Sequence, residues 1–150
     1  FRQKPLEELI PKAYQQGVGI ITRVPPASGL LTGKFTTKTQ FAEDDHRKFN
    51  ENGEAFNVGE TFSGLGFQKG VELSDQLTWI KEGRPSMANA ALRWILDAKE
   101  ISCINPGFRN VTQVKQNLEA LDTKSFTEDE NLKIKNFYKE KVKDAIMGIY

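Results

Sequence analysis

Cysteine is nearly absent: the 150 residues include one, Cys103, so no disulfide can form within the chain. That thiol sits in an apolar run, where the expectation is a buried, inert side chain. A reducing, cytoplasmic location follows from such usage. Histidine is equally scarce, with His46 alone. One His and one Cys build neither a metal site nor a nucleophile pair. No apolar run approaches the roughly 18 residues of a membrane span. Excess charge of one sign is missing too: 21 basic residues face 20 acidic ones, for a net charge of +1. That balance points to neither a nucleic acid nor a membrane surface as partner. The opening FRQKPLEEL lacks the apolar centre of a signal peptide and starts in mid-pattern without Met, which suggests that the natural chain began earlier. At 38% hydrophobic and 27% charged, the composition suits a single globular unit over residues 1–150.

What is present is a helix, strand, loop, helices, strand, helix, helix order. Pro5 to Gln16 carries Leu6, Leu9, Ile10, Ala13 and Tyr14 at helical spacing, with Gly17 as the stop. Val18 to Val24 is a nearly continuous apolar strand, expected to be buried on both faces as in parallel sheets. Residues 35–63 read as a long polar loop, and loops of that length are usually functional or mobile. A helix is expected over Phe67 to Lys81, and Ser86 caps another that carries Trp94. Trp79 and Trp94 read as core. Ile101 to Asn105 is a second strand. Asn110 caps a helix to Leu121, with Gln113 as its capping-box partner, and Thr127 with Glu130 opens a last helix. Strands alternating with helices make this an α/β fold with parallel strands. Two strands are too few for a stable sheet, so another chain or further sequence must complete it.

Two glycine-marked turns stand out, GVGIITRVPPASGLLTGKF (Gly17 to Phe35) and ISCINPGFRNVTQVKQNLEALD (Ile101 to Asp122). A strand feeding a turn that opens a helix gathers free backbone N–H groups at one point, which suits a phosphate. Neither fits the commonest phosphate motifs. In SGLLTGKF, Ser28 stands where a phosphate loop needs Gly, and Phe35 replaces the metal-binding Ser or Thr. GLGFQKG, Gly64 to Gly70, follows no strand and has the wrong third spacing for a dinucleotide fingerprint.

RVPPASGLLTGKF resembles the loop after the seventh strand of aldo-keto reductases, and INPGFRNVTQVKQNLEALD resembles that family's loop and helix after the eighth. The FAEDDHRKFN segment and the ALRWILD helix are also similar, so the resemblance covers nearly the whole chain in preserved order. It implies the C-terminal part of a (β/α)8 TIM barrel, from about strand 6 onward and incomplete on its own, with NADP(H) across the C-terminal face. It places Pro25, Pro26, Ala27, Ser28 and Gly29 around the pyrophosphate, with Lys34 as a nearby cation. Gly107, Phe108 and Arg109 would meet the ribose 2′-phosphate, where a guanidinium binds phosphate bidentately. Gln113, Gln116 and Asn117 match positions at the adenosine end, and Arg47, on the long loop, would close over the cofactor. Three positions depart from the pattern: Pro26 for Leu, Val24 for Ser, and Phe108 for a small residue.

The residues by themselves leave blander readings open. The prolines and Gly29 also suit a strand-ending turn, Lys34 and Arg109 solvated cations, Gln113 a cap, and Gln116 with Asn117 a solvent face. His46 and Arg47 read as surface. The family's catalytic Asp, Tyr, Lys and His come from its first four strands, and none is assigned here: Tyr14 and Tyr138 lie in helix patterns and Tyr150 is terminal. The resemblance therefore implies the NADPH-binding part of an oxidoreductase that reduces aldehydes and ketones, inactive alone, with the missing N-terminal half or another copy as partner. The alternatives are a non-catalytic nucleotide-binding or self-associating module, or a truncation remnant.

Overall fold

A computed structural model describes residues 1–149, so the terminal Tyr150 lies outside the described residues. The chain forms two parallel strands with helices on one side. α1 (Leu9–Gln15) leads to β1 (Ile21–Arg23), then α2 (His46–Phe49), α3 (Phe67–Gln76), α4 (Met87–Leu96), β2 (Cys103–Asn105), α5 (Val111–Leu118) and α6 (Glu128–Phe137). β1 and β2 pair with Ile21 opposite Cys103, Thr22 opposite Ile104 and Arg23 opposite Asn105. The α/β arrangement with parallel strands is therefore as the sequence predicts.

Local chemistry explains most boundaries. After α1, Gly17 takes φ +68°, and the Val18 and Gly17 N–H groups return to the Ala13 and Tyr14 carbonyls. That double closure is a Schellman stop, which a left-handed glycine permits. The first predicted helix is split: a 3-10 turn at Lys4–Leu6 precedes α1. The predicted Phe67 to Lys81 helix is likewise divided, α3 ending at Gln76 before a 3-10 turn at Thr78–Lys81. Ser86 caps α4 by accepting from the Asn89 N–H, and Asn110 caps α5 by accepting from the Gln113 N–H. Thr127 and Glu130 form a reciprocal capping box on α6, which passes into a π-helical turn at Tyr138–Val142.

The core lies between the helices rather than on the sheet. Leu30, Phe62, Val71, Ala90 and Phe126 form its main cluster, with Trp79 and Trp94 half-buried against it. Leu65, Leu73, Tyr138 and Val142 form a second cluster. Arg84 ties the C-terminal region to this core. Its fully buried guanidinium lies over Phe126, donates to the Ile80, Lys124 and Ser125 carbonyls, and meets the Glu130 carboxylate with two nitrogens.

The strands are shorter and more exposed than the sequence predicts. Ile21 is 68% exposed, and Cys103 is exposed rather than buried. The reason is that, among the described residues, nothing covers the inner face of the pair or its free edges. Only Thr22 and Ile104, on the helix side, are half-buried. β1 stops early because Val24 turns to φ +50°.

Residues 35–63 do not form a featureless connection. Phe35, Phe41, Phe62 and Phe67 pack edge-to-face or tilted, with ring centroids 5.2–5.9 Å apart. The fully buried Asn50 accepts from the Ala55 and Phe56 N–H groups and donates to Thr61 Oγ1. Polar residues make this segment look unstructured in sequence, yet one buried amide organises it.

Candidate functional site

The turn after β1 is held in an uncommon backbone shape. Val24, Ala27 and Ser28 have φ of 50°, 52° and 56°, followed by Gly29 at 102°. Left-handed residues other than Gly are uncommon, and clusters of them occur where surroundings over-determine a functional conformation. Here the surroundings are visible. The Ser28 hydroxyl donates to the Glu60 carbonyl and accepts from the Phe62 N–H. A Cβ on Gly29 would stand 2.8 Å from the Phe35 ring. The turn is thereby locked to the aromatic segment beneath it.

The loop after β2 is braced from α5. Gln113 Oε1 accepts from the Arg109 N–H at 2.6 Å, and Asn117 Nδ2 donates to the Gly107 carbonyl at 3.3 Å. Gln113 is thus not a capping-box partner of Asn110: its amide reaches one residue further back. Asn89, from α4, donates to the Gln116 carbonyl and fixes α5 to α4.

These two turns face each other across a cleft of about 850 Å³. Of the residues singled out in sequence, Pro26, Ser28, Gly29, Lys34, Gly107, Phe108, Arg109, Gln113, Gln116 and Asn117 line it. Pro25 and Ala27 do not. They face a separate cavity of about 480 Å³ between the sheet and the helices, which also meets Leu6, Ile10 and Trp94.

Arg23, Lys34, Arg47 and Arg109 bring positive charge to the cleft wall, beside the carboxylates of Glu60 and Glu119. Lys34 and Arg109 form no ion pair among the described residues, whereas Arg23 is paired with Glu60 at 3.0 Å. Arg47 and His46, read as surface in sequence, line the cleft as well. Arg47 is held by Asp45, whose carboxyl lies far below the usual carboxylate range, chiefly because it accepts hydrogen bonds from the Arg47 side chain. Phe108 stands 64% exposed at the rim. Sequence reading passed over Ser86, Asn89 and Leu92, which complete the wall. Their signal was a helix cap and an apolar stripe, neither of which marks a cleft.

An anion with several phosphate groups suits this arrangement: free cations on two sides, a tight turn, and a concave wall between. Tyr14 is exposed on α1 and Tyr138 is buried in the second core cluster. Among the described residues no three His, Cys, Asp or Glu side chains gather as metal ligands. No helix among them is long and apolar enough to cross a membrane.

The chain is 25% identical over 126 residues to a probable voltage-gated potassium channel subunit beta of Arabidopsis thaliana, covering 81% of this chain and 35% of that protein. It is 25% identical over 122 residues to an L-glyceraldehyde 3-phosphate reductase of Escherichia coli O157:H7, covering 81% of this chain and 34% of the relative. It therefore spans about a third of the length of the curated relatives it matches. The solved glycerol dehydrogenase of Gluconobacter oxydans superposes with a TM-score of 0.70 at 22% identity, over 97% of this chain and 42% of the other, and so shares its fold. The sequence model of the aldo/keto reductase family matches residues 1–139. The chain belongs to the aldo/keto reductase family.

Proposed function

We propose that this chain is the NADP(H)-binding part of an aldo-keto reductase and takes the phosphate and adenosine end of the cofactor. The observation that carries the reading is the meeting of both turns on one cleft, with Lys34 and Arg109 across it and in no ion pair among the described residues. In this reading Pro26, Ser28 and Gly29 follow the pyrophosphate, and Arg109 takes the 2′-phosphate through its paired N–H groups. Gln113 and Asn117 act by holding the Gly107–Arg109 loop. When bound, NADPH supplies the hydride for reduction of an aldehyde or ketone. Binding a remote part of the cofactor contributes to such chemistry by fixing the reactive end without touching it.

The chain contributes no acid or base to the reaction in this proposal and is inactive alone. The Asp, Tyr, Lys and His of the family come from a polypeptide that completes the (β/α)8 barrel. Exposed apolar side chains support such a partner. Leu9 on α1 is 66% exposed and Ile21 on β1 68%, while Val111 and Leu118 on α5 are 70% and 58% exposed. Further strands and helices of a barrel would cover side chains of this kind. Another copy of the chain is the alternative occupant, since free strand edges invite pairing. A cytoplasmic setting suits the free thiol of Cys103.

The test is a titration of the Arg109→Ala variant with NADPH and NADH. NADPH affinity should fall by about tenfold or more, the scale of a charge-assisted hydrogen bond, while NADH binding changes little. Equal effects on both cofactors would remove Arg109 from the 2′-phosphate.

A further inference from the structure

Arg47 is held in a way that a solvated loop cation does not need. Its Nε donates to Asp45 Oδ1 at 2.9 Å, and Nη2 donates to Asp45 Oδ2. Both side chains are largely buried, at 18% and 16% exposure. One face of the guanidinium lies 4.4 Å from the centre of the Phe41 ring. Asp45 is itself fixed, because Oδ1 also accepts the Arg47 N–H as the cap of α2. The imidazole of His46 also lies beside this carboxylate, with Nδ1 3.6 Å from Oδ1.

This leaves one edge of the guanidinium. Nη1 has no hydrogen-bond partner among the described residues, and it stands 4.0 Å from where a Gly29 Cβ would be. Arg47 lines the cleft alongside that turn. An arginine has five N–H donors in a rigid plane, so fixing Nε and Nη2 also fixes where Nη1 points. Resting on the reading that the cleft takes the dinucleotide, we infer that Asp45 is a positioning residue: it orients Arg47 so that Nη1 meets a phosphate oxygen lying on the Gly29 turn.

The sign of the effect separates orientation from plain charge. Asp45 is an anion beside a proposed anion site, so removing its charge would strengthen phosphate binding if electrostatics alone acted. Removing its grip on Arg47 weakens binding if orientation decides, because a freed side chain must lose rotamer entropy on binding.

The experiment titrates NADPH into the purified chain as wild type, Asp45→Asn, Arg47→Ala and the double variant. Asn caps a helix as well as Asp does, so the fold is kept, and a melting curve checks it. Asp45→Asn should weaken NADPH binding by about tenfold. It should cause no further weakening in the Arg47→Ala background, where only the loss of an anion remains, the non-additivity expected of two residues that act through one contact. A purely structural role for Asp45 would persist in that background. Arg47→Lys, which keeps charge but not the fork, is a second variant and should bind NADPH as weakly as Arg47→Ala. Unchanged or tighter binding by Asp45→Asn, or wild-type affinity in Arg47→Lys, would overturn the inference alone. A folded wild-type chain that fails to bind NADPH would remove the cofactor reading and this inference with it.

Discussion

Gln113 Oε1 accepts a hydrogen bond from the backbone N–H of Arg109 at 2.6 Å, so a side chain of α5 fixes the loop that presents the arginine to the cleft. Gln113→Ala should release that loop and weaken NADPH binding several-fold, with at most about 1 kcal/mol lost in stability. Gln113→Glu retains the acceptor and should keep the melting temperature, yet still weaken NADPH binding by placing an anion beside the phosphate. Parallel melting and binding curves separate the two effects.

Arg84 and Glu130 join the α3–α4 connection to α6. Arg84→Ala should cost about 3–5 kcal/mol, because it strips the partners of four carbonyls, those of Ile80, Glu82, Lys124 and Ser125, and a carboxylate. Denaturant unfolding measures this directly.

The same pair gives a pH dependence. The Arg84 hydrogen bonds, ahead of a smaller contribution from Thr127, lower Glu130 from 4.5 to about 2. A folded-state value below the unfolded one means that its contribution is complete above about 4.5 and lost as pH falls towards about 2. Asp45 shifts in the same direction, chiefly through its Arg47 hydrogen bonds. Melting temperature should therefore decline steadily on acidification below pH ~5, and Glu130→Gln should flatten part of that decline. An unchanged profile in that variant would contradict the assignment.

Gly29→Ala should destabilise the chain by about 1–3 kcal/mol, since the position combines a left-handed backbone with a Cβ 2.8 Å from Phe35. The ring cannot yield freely, because Phe41 and Phe67 pack on its edges. Unfolding curves of Gly29→Ala beside Gly17→Ala separate strain from contact, as nothing lies within 4 Å at Gly17.

Asn50→Ala should cost more than 1 kcal/mol for each donor it orphans, roughly 2–4 kcal/mol in all. Hydrogen exchange should then accelerate at Ala55 and Phe56 before it does in α3 or α4.

Much of this was legible because it is local. Ser86, Asn110 and Thr127 are caps whose side chains reach only their own first turn, and the spacing of a cap is written in sequence. The two glycine turns were legible for the same reason, and the cleft that joins Lys34 to Arg109 follows once β1 and β2 pair. What sequence could not show is what depends on distant or absent neighbours. Cys103 and Ile21 look like core residues, and their exposure reflects the lack of further strands beside them among the described residues. Arg47 looks like a surface cation until Asp45 and Phe41 are seen to enclose it. Asn50 gives no sign of burial, since its three partners lie 5, 6 and 11 residues away with no periodic pattern between. Pro25 and Ala27 read as one stretch with Pro26 and Ser28, and only the geometry of the turn divides them between two cavities.

The most direct measurement is a titration of the purified chain with NADPH, with NADH in parallel, read by the fluorescence of Trp79 and Trp94. Saturable binding that favours NADPH is the predicted result and means that the two turns form a working cofactor cleft without the rest of a barrel. Absence of binding by a chain shown to be folded would contradict the account.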